Sequence, residues 1–322
     1  MGQWLLAALV AAGARVRASY RGTPPATLPG GASAGAVEWV EGDVLDPLFL
    51  QQAVSVVEVV IHAAALVSFA PREAEQLWQT NVEGTANVVN ALLTHNPAAR
   101  LLHVSSVATL GPPAPGTTTV DETAPWDPAA EHSTYAKSKF AAELEVWRGL
   151  NEGLTGAIVN PAVIVGPGDP ARSSTQLFRY AAAEHRFYPP GYLNLVDVRD
   201  VVTALLALAT APAAQLGARY VLSAGTLAYA DFFGLAAEAL GCRPPRAALP
   251  TVLAEVLWRV EAVRARLTGA APLLTRETAR IARRAAIFEG LRAARTLGFT
   301  YRPPAESVTW CGAALRRAGL GA

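Results

Sequence analysis

Cysteine is scarce in this sequence of 322 residues, which has only Cys242 and Cys311. The two cysteines lie far apart and lack metal-site spacing, as is typical of a reducing compartment, and they exclude a disulfide framework. Charge of one sign is lacking as well, because 27 Lys and Arg residues nearly balance 26 Asp and Glu residues. Without a basic surface field, the chain is not expected to bind nucleic acid.

Long hydrophobic runs are also missing. The apolar run at residues 201–211 is shorter than the roughly 20 residues that a membrane-spanning helix needs, and Pro212 ends it. The apolar start of the chain lacks the basic region of a signal peptide, and the spacing of Leu5, Leu9 and Val10 predicts a helix followed by a strand. We therefore expect a cytoplasmic protein that makes no membrane contact.

The first half of the chain alternates between strand-like and helix-like patterns, and 52% of all residues are hydrophobic, enough for a substantial core. The alternation predicts an α/β fold with a doubly wound parallel sheet and helices on both faces. Ligands of such sheets bind beyond the carboxyl ends of the strands. The predicted strands are residues 16–20, 37–40, 57–61, 101–105 and 157–160.

The pattern becomes irregular after about residue 161, where Pro and Gly clusters precede mostly helical segments. This change predicts two domains. The first spans residues 1–160, with residues 197–222 returning to it. The second is a smaller, mostly helical, substrate-binding domain of residues 161–196 and 223–322.

The strongest chemical signal is the pair Tyr135 and Lys139, four residues apart at the start of a helical stretch, where they share one helix face. A phenol titrates near about pH 10, but an adjacent ammonium favours the phenolate, so the pair can exchange protons near neutrality. An isolated match of this kind could equally be an exposed tyrosine and a solvated lysine.

Ser105 and Ser106 follow the predicted strand at residues 101–105. A hydroxyl at a strand end faces the ligand crevice and can donate a hydrogen bond to a substrate carbonyl as charge develops on its oxygen. One of the two serines could instead serve only as a turn cap.

Together with further motifs in the expected order, these residues resemble the extended short-chain dehydrogenase/reductase family, especially its NAD-dependent epimerase/dehydratase and dihydroflavonol-reductase-like branches. The resemblance covers nearly the whole chain and implies a Rossmann-type domain that binds NAD(P). The further motifs are Gly-Asp-Val at 42–44, His-Ala-Ala-Ala at 62–65, Asn-Val-Glu-Gly-Thr at 81–85, Asn-Pro-Ala at 160–162, Val-Gly-Pro-Gly at 165–168 and Asn-Leu-Val-Asp-Val-Arg-Asp at 194–200.

The resemblance implies that Ser106, Tyr135 and Lys139 form the catalytic set. Ser106 would polarise the substrate carbonyl and Tyr135 would donate or take the proton. Lys139 would bind the nicotinamide ribose and lower the pKa of the tyrosine.

The resemblance also implies which residues hold the cofactor. Asp43 would bind the adenine amino group beside Val44, and small side chains would let the backbone approach. Asn160 and Pro161 would border the nicotinamide. Asn81 resembles a family asparagine near the site, although it could equally hold a helix to a strand. The implied cofactor-binding residues are Gly2, Asp43, Val44, Ala63, Ala64, Ala65, Asn81, Tyr135, Lys139, Asn160 and Pro161.

The start of the sequence departs from the family pattern. The family fold begins with a strand and a TGxxGxxG turn, whose glycines let the backbone meet the pyrophosphate. Gly2 fits the third glycine and residues 3–12 fit the following helix, but the first strand and the first two glycines have no counterpart. We expect the complete protein to have them, and the predicted function refers to that protein.

Arg21 follows the strand whose end selects the cofactor in this family, and no acidic residue stands there to bind the ribose of NAD. Arginine can pair with the additional phosphate of NADP, so NADP(H) is preferred. NAD(H) stays as the alternative, because Arg21 could instead stack on the adenine.

The predicted reaction is hydride transfer that reduces a ketone or aldehyde, or oxidises the alcohol. Residues 107–110 lack the acid pair of dehydratases, and residues 191–193 lack the basic residue of nucleotide-sugar epimerases. The alternatives are a nucleotide-sugar epimerase and a non-catalytic dinucleotide sensor. The predicted pocket residues are Phe69, Phe187, Tyr188 and Tyr192. An anionic substrate stays an alternative because Arg172 and Arg179 could bind it.

The predicted partners are a small carbonyl or alcohol substrate and, as a weaker prediction, a second copy of the chain. Phe140, Leu144 and Trp147 could supply an apolar seam for a homodimer, or they could pack on the sheet.

Overall fold

The computed structural model describes residues 1–250 and 286–321; the part of the predicted second domain at 251–285 lies outside the described residues. The helices are α1 Gly2–Ala11, α2 Pro47–Val54, α3 Ala74–Trp78, α4 Gly84–His95, α5 Thr134–Asn151, α6 Thr175–Ala182, α7 Val198–Thr210, α8 Tyr229–Leu240, α9 Leu291–Leu297 and α10 Pro304–Arg317. The strands are β1 Val16–Tyr20, β2 Val37–Glu41, β3 Val59–His62, β4 Arg100–Val104, β5 Thr119–Val120, β6 Thr155–Pro161, β7 Val163–Val165, β8 Phe187–Tyr188, β9 Tyr192–Asp197, β10 Arg219–Leu222, β11 Gly225–Ala228, β12 Ala247–Ala248 and β13 Ile287–Phe288.

The predicted parallel strands are present, and the α/β fold class is confirmed. A four-stranded parallel sheet has the order β10-β6-β4-β3, while β1 and β2 form a separate parallel pair. Among the described strands, neither β1 nor β3 pairs with a second strand on its other edge. Because the four strands run in the same direction, their carboxyl ends meet at one edge of the sheet.

Helices cover both faces of the four-stranded sheet. Successive side chains of a strand point to opposite faces, so consecutive leucines of β4 pack against different helices. Leu102 of β4 packs with Leu5 of α1 and Leu205 of α7. Its neighbour Leu101 packs on the other face with Val89 of α4. These leucines and the valine are buried, and each contributes about 1.5–3 kcal/mol of hydrophobic free energy.

The segment 197–222 packs with the first part of the chain. Helix α7 contributes Val201, Ala204 and Leu208 to the same cluster as Leu102, and β10 extends the sheet beside β6. These contacts support a return of this segment to the first domain. The domain boundaries themselves stay predictions.

The second part of the chain contains a three-stranded sheet, β11-β9-β7, that the irregular sequence pattern did not predict. Its strands are short, and Gly166 and Pro167 follow β7 directly, so no long apolar run marks them. Helices α6, α8 and α10 pack around Phe178, Phe232 and Phe233 beside this sheet. Within residues 1–250 and 286–321, none of the helices is long and apolar enough to cross a bilayer.

Candidate active site

Tyr135 and Lys139 lie in the first turns of α5, as predicted. Ser133 caps this helix, because its Oγ accepts a 2.7 Å hydrogen bond from the backbone N–H of Ala136. The cap fixes where the helix begins and directs both side chains toward the carboxyl end of β4.

Lys139 is buried, with 2% of its surface exposed, and its Nζ donates a 2.9 Å hydrogen bond to the carbonyl oxygen of Val104 in β4. Burial lowers the pKa of Lys139 to about 8, while the charge of Glu143 opposes the shift. The lysine is therefore mainly an ammonium at neutral pH. An ammonium has three donors, so it can bind a ligand in addition to Val104.

Tyr135 lies between Ser106 and Phe69. Burial raises the pKa of Tyr135, and a hydrogen bond with Ser106 acts in the opposite direction. The ring of Phe69 meets the tyrosine ring edge-on, with centroids 5.8 Å apart. Tyr135 therefore has one polar and one apolar neighbour.

Ser106 follows β4 by two residues and begins a short 3-10 helix at residues 107–109, where its Oγ accepts a 3.2 Å hydrogen bond from the N–H of Ala108. The cap uses the oxygen as an acceptor and leaves the hydroxyl hydrogen able to donate. Ser106 can therefore cap the short helix and also donate a hydrogen bond to a substrate carbonyl, the two roles that the sequence left open.

A buried carboxylate that the sequence reasoning missed lies one helical turn beyond Lys139. Glu143 is 1% exposed and accepts hydrogen bonds from five side chains. We call these residues with Glu143 the Glu143 cluster: Ser105 (2.8 Å), Thr109 (2.9 Å), Trp147 (3.4 Å), Asn160 (3.0 Å) and Arg219 (3.3 Å). The spacing of Tyr135, Lys139 and Glu143, four residues apart each, was the available signal.

Asn160 is fully buried in the Glu143 cluster rather than exposed beside the cleft. Its Nδ2 lies 3.2 Å from the carbonyl oxygen of Ser106 as well as 3.0 Å from Glu143 Oε2. Its amide therefore holds the backbone of Ser106. A direct contact of Asn160 or Pro161 with the nicotinamide stays a prediction.

Two histidines on neighbouring strands of the sheet lie close to Lys139. His62 of β3 and His103 of β4 are register partners, and their ring centroids are 5.3 Å apart. Burial, followed by the charge of Lys139, lowers the pKa of His62 to about 3 and lowers that of His103. Both rings are therefore neutral at physiological pH and add no charge beneath the site.

The adenosine side of the predicted cofactor site carries an ion pair. Arg21 directly follows β1, and its guanidinium lies 3.0 Å from a carboxylate oxygen of Asp43. Burial acts to raise the pKa of Asp43, but the N–H of Leu45 and the Arg21 guanidinium outweigh it and lower the pKa. Arg21 is 62% exposed, so it can still reach a ligand.

The loop that holds Asp43 and Val44 is packed closely against α4. A Cβ at Gly84 would lie only 2.6 Å from a methyl group of Val44, and Asn87 donates a 3.1 Å hydrogen bond to the carbonyl oxygen of Val44. Glycine at position 84 therefore permits the approach of α4 to this loop.

Ala63, Ala64 and Ala65 follow β3, and the latter two are exposed. They leave an open backbone surface of the kind that a dinucleotide needs. Gly2 is the first residue of α1, and a Cβ there would meet no atom within 4 Å, so its predicted contact with pyrophosphate stays a prediction.

Asn81 uses its whole side chain within the protein. Its Oδ1 accepts from the N–H of Leu66 at 2.7 Å, and its Nδ2 donates to the carbonyl of Leu66 and to Ser138, each at 3.0 Å. These contacts match the alternative in which Asn81 holds structural elements together, here α5 and the loop after β3. Direct cofactor binding by Asn81 stays a prediction.

The predicted aromatic pocket residues are spread over three elements. Phe69 touches Tyr135, whereas Phe187 and Tyr188 form β8 and Tyr192 begins β9 with 58% of its surface exposed. Arg172 pairs with Asp169 on the surface.

The chemistry of these residues fits a nicotinamide dinucleotide. A lysine ammonium with unused donors lies one helical turn from the phenol of Tyr135, an exposed arginine lies beside an aspartate, and small side chains follow β3. Dinucleotides bind at the carboxyl ends of parallel strands in folds of this kind.

Comparison with known proteins supports this assignment. The model of the NAD dependent epimerase/dehydratase family matches residues 1–223. Sterol demethylase protein B of Methylococcus capsulatus is 30% identical over 254 residues, which are 78% of this chain and 74% of that protein. A dihydroflavonol 4-reductase-like protein of Synechocystis sp. is 28% identical over 306 residues, 92% of this chain and 86% of that protein. The crystal structure of gox2253 has a TM-score of 0.79 and 28% identity, covering 100% of this chain and 96% of that one.

The fold and the Ser-Tyr-Lys group define an NAD(P)-dependent oxidoreductase. The chain belongs to the NAD-dependent epimerase/dehydratase family, within the extended short-chain dehydrogenases/reductases. The predicted family, fold class and enzyme class are confirmed.

Proposed function

We propose that the protein is an NADPH-dependent reductase of a lipophilic ketone or aldehyde, and that it can also run the reverse alcohol oxidation. The observation that carries this proposal is the position of Tyr135 between Ser106 and the apolar ring of Phe69, one helical turn from the Lys139 ammonium. A carbonyl oxygen at this place would meet two hydroxyl donors, while the rest of the substrate would meet an apolar surface.

Each of the three residues then has one task. The Ser106 hydroxyl donates to the carbonyl oxygen and stabilises the negative charge that develops there. Tyr135 gives its phenol proton to the same oxygen as the alcohol forms. Lys139 stabilises the resulting phenolate with its ammonium and binds the cofactor ribose, while the cofactor supplies the hydride.

NADP(H) is favoured over NAD(H) by Arg21. Its guanidinium is 62% exposed and lies beside Asp43 at the end of β1, where the additional ribose phosphate of NADP would reach it. The residues at the end of β1 itself include no carboxylate. The phosphate would have to replace Asp43 as the partner of Arg21.

A lipophilic substrate is favoured by Phe69 and by the absence of a basic residue at positions 191–193. A relative of this chain is named sterol demethylase protein B, which agrees with a lipophilic substrate class.

A nucleotide-sugar epimerase is the second candidate, because the matching family includes epimerases. In that reaction Tyr135 would remove a hydroxyl proton from the sugar, and the cofactor would be regenerated in each cycle. Net oxidation of the cofactor therefore separates the two candidates.

A homodimer through α5 and a location in the cytoplasm belong to this proposal as well. Leu144 is 51% exposed and suits an apolar seam, whereas Phe140 stacks on Trp126 and the indole N–H of Trp147 points to Glu143. Sedimentation of the wild type and a Leu144→Asp variant tests the seam. A monomeric wild type contradicts it.

The experiment that tests the function uses the purified protein. NADPH and NADH binding is followed by cofactor fluorescence, and a panel of lipophilic carbonyl compounds and nucleotide sugars is then screened. NADPH oxidation with a carbonyl compound that stops in Tyr135→Phe is the expected result. Cofactor binding without turnover of any compound would support the non-catalytic sensor instead.

A further inference from the structure

Glu143 connects the helix that carries the catalytic pair to the ends of three neighbouring strands. It lies on α5, on the same face as Tyr135 and Lys139. Its carboxylate reaches Ser105 directly after β4, Asn160 in β6 and Arg219 in β10. Few side chains in the described part of the chain join so many elements at one point.

Three of the hydrogen-bond partners of Glu143 can only donate. They are the indole of Trp147, the amide Nδ2 of Asn160 and the guanidinium of Arg219. The hydroxyl groups of Ser105 and Thr109 complete the set around its carboxyl group. Hydrogen bonds from several donors offset the cost of burying a carboxyl group.

The same cluster fixes the backbone of the catalytic serine. The carbonyl oxygen of Ser106 accepts a 3.2 Å hydrogen bond from Asn160 Nδ2, and the same amide also donates to Glu143. Thr109 Oγ1 lies 2.9 Å from both the Ser106 carbonyl oxygen and Glu143 Oε2, and its one hydrogen can be donated to either of them. The position of Ser106 relative to Tyr135 on α5 therefore depends on Glu143.

Glu143 also acts on Lys139 through its charge. Burial lowers the pKa of Lys139, and the Glu143 carboxylate raises it. From the sheet, the lysine faces the neutral rings of His62 and His103. Tyr135 precedes it by one turn on α5. Arg219 of β10 pairs with Glu143 from its other side. Among these groups, Glu143 is the carboxylate that favours the ammonium.

We propose that Glu143 is a positioning residue of the reaction, which holds Ser106 in register with Tyr135 and keeps Lys139 in its ammonium form. This inference rests on the proposed function. Glu143 is buried with 1% of its surface exposed, so its effect is carried by Ser106 and Lys139.

The sequence allows a direct test, because Lys137 and Lys139 are its only lysines. Protein made with isotope-labelled lysine gives two side-chain signals in an NMR titration, and Lys137→Arg leaves only that of Lys139. In the wild type, Lys139 should titrate at a pKa of about 8. In Glu143→Gln it should titrate at lower pH, since the attraction that favours the ammonium is gone.

Turnover gives the second readout. Glu143→Gln should lower kcat by about 10- to 100-fold, because misplacement of a catalytic group by about 1 Å has effects of this size, and should leave cofactor affinity nearly unchanged. The basic limb of its pH–rate profile should move to lower pH. Glu143→Asp keeps the carboxyl group, so the basic limb of its pH–rate profile should stay in place. Its kcat should fall, because the aspartate side chain is shorter and reaches its partners less well.

Glu145→Gln is the matched control, since it removes a carboxylate from the same helix that pairs only with Arg148 among the described residues. It should leave the Lys139 titration and kcat unchanged. A Lys139 titration and a kcat in Glu143→Gln that equal those of the wild type would overturn the proposal. If Glu143→Gln does not fold, a wild-type kcat in Glu143→Asp overturns it. The NMR titration needs no substrate, so it tests Glu143 even if no carbonyl compound is turned over and the proposed function fails.

Discussion

The Glu143 cluster and the Arg21–Asp43 pair are two polar regions of the same site, but their polar groups are satisfied in different ways. In the Glu143 cluster, buried donors converge on one carboxyl group, and Oδ1 of Asn160 is a buried acceptor without a partner among the described residues. In the Arg21–Asp43 pair, the charges are largely exposed, and an exposed ion pair contributes only about 0–1 kcal/mol. The Glu143 cluster therefore fixes the positions of the side chains around it. In the second region, Arg21 can exchange Asp43 for a ligand.

This difference predicts that substitutions near the Glu143 cluster change the rate, whereas substitutions at the Arg21–Asp43 pair change the affinity for the cofactor. The largest effect is expected at Tyr135. Tyr135→Phe should lower kcat/KM by about 10²- to 10⁴-fold, because the proton donor is lost. NADPH affinity should be nearly unchanged, and Tyr180→Phe, which removes a phenol from α6, should stay close to the wild type. Steady-state kinetics and fluorescence titration measure both quantities.

Ser106→Ala should have the next largest effect. Loss of one donor to a developing oxyanion lowers kcat by about 10²- to 10³-fold. The alanine cannot accept from the N–H of Ala108, so a small loss of thermal stability is also expected. A variant with full kcat would mean that Ser106 is only a cap.

The dependence of kcat on pH sharpens the comparison. The pKa of Lys139 is lowered by burial to about 8, and the active form is the ammonium. Activity should therefore be present below this pH and fall as pH rises through it, by about tenfold per pH unit. Lys139→Met should abolish this limb, whereas Lys137→Met, at an exposed position on the same helix, should retain it. If Lys139→Met retained the basic limb of the pH–rate profile, the limb would belong to the titration of another group.

Arg21→Ala should change affinity rather than rate. Hydrogen bonds to charged groups contribute about 1.5–3 kcal/mol, so the Kd for NADPH should rise about 10-fold or more. The Kd for NADH should change little, as should kcat at saturating NADPH. Equal losses for both cofactors would point to a role in adenine stacking.

The smallest effect is expected for a substitution at Gly84, which packs against Val44, and it concerns the free energy of unfolding. Gly84→Ala places a Cβ 2.6 Å from a Val44 methyl group, and overpacking of about 1–3 kcal/mol should exceed the helix propensity gain of about 0.5–1 kcal/mol. Gly234→Ala in α8 is the control, because a Cβ there meets no atom within 4 Å. Denaturant unfolding should show a loss for the first variant and a gain for the second.

The sequence predicts where Tyr135, Lys139 and Ser106 lie in the fold, because the first two are joined by helical spacing and Ser106 follows a clear apolar strand. Their catalytic roles stay predictions. It predicts the parallel strands for the same reason, since each is a compact apolar run. The Glu143 cluster could not be predicted in the same way, because its members come from α5, β6, β10 and the segment after β4. Asn160 was expected beside the cofactor, and only the fold shows that its amide lies buried under Ser106.

The most direct test of the account follows the hydride. The wild type is given a lipophilic carbonyl substrate and NADPH with deuterium at the transferable position of its nicotinamide ring, and the product is analysed by mass spectrometry. We expect one deuterium on the carbinol carbon of the alcohol and one NADPH oxidised for each alcohol formed. Turnover without deuterium in the product, or without net NADPH oxidation, would contradict a carbonyl reductase.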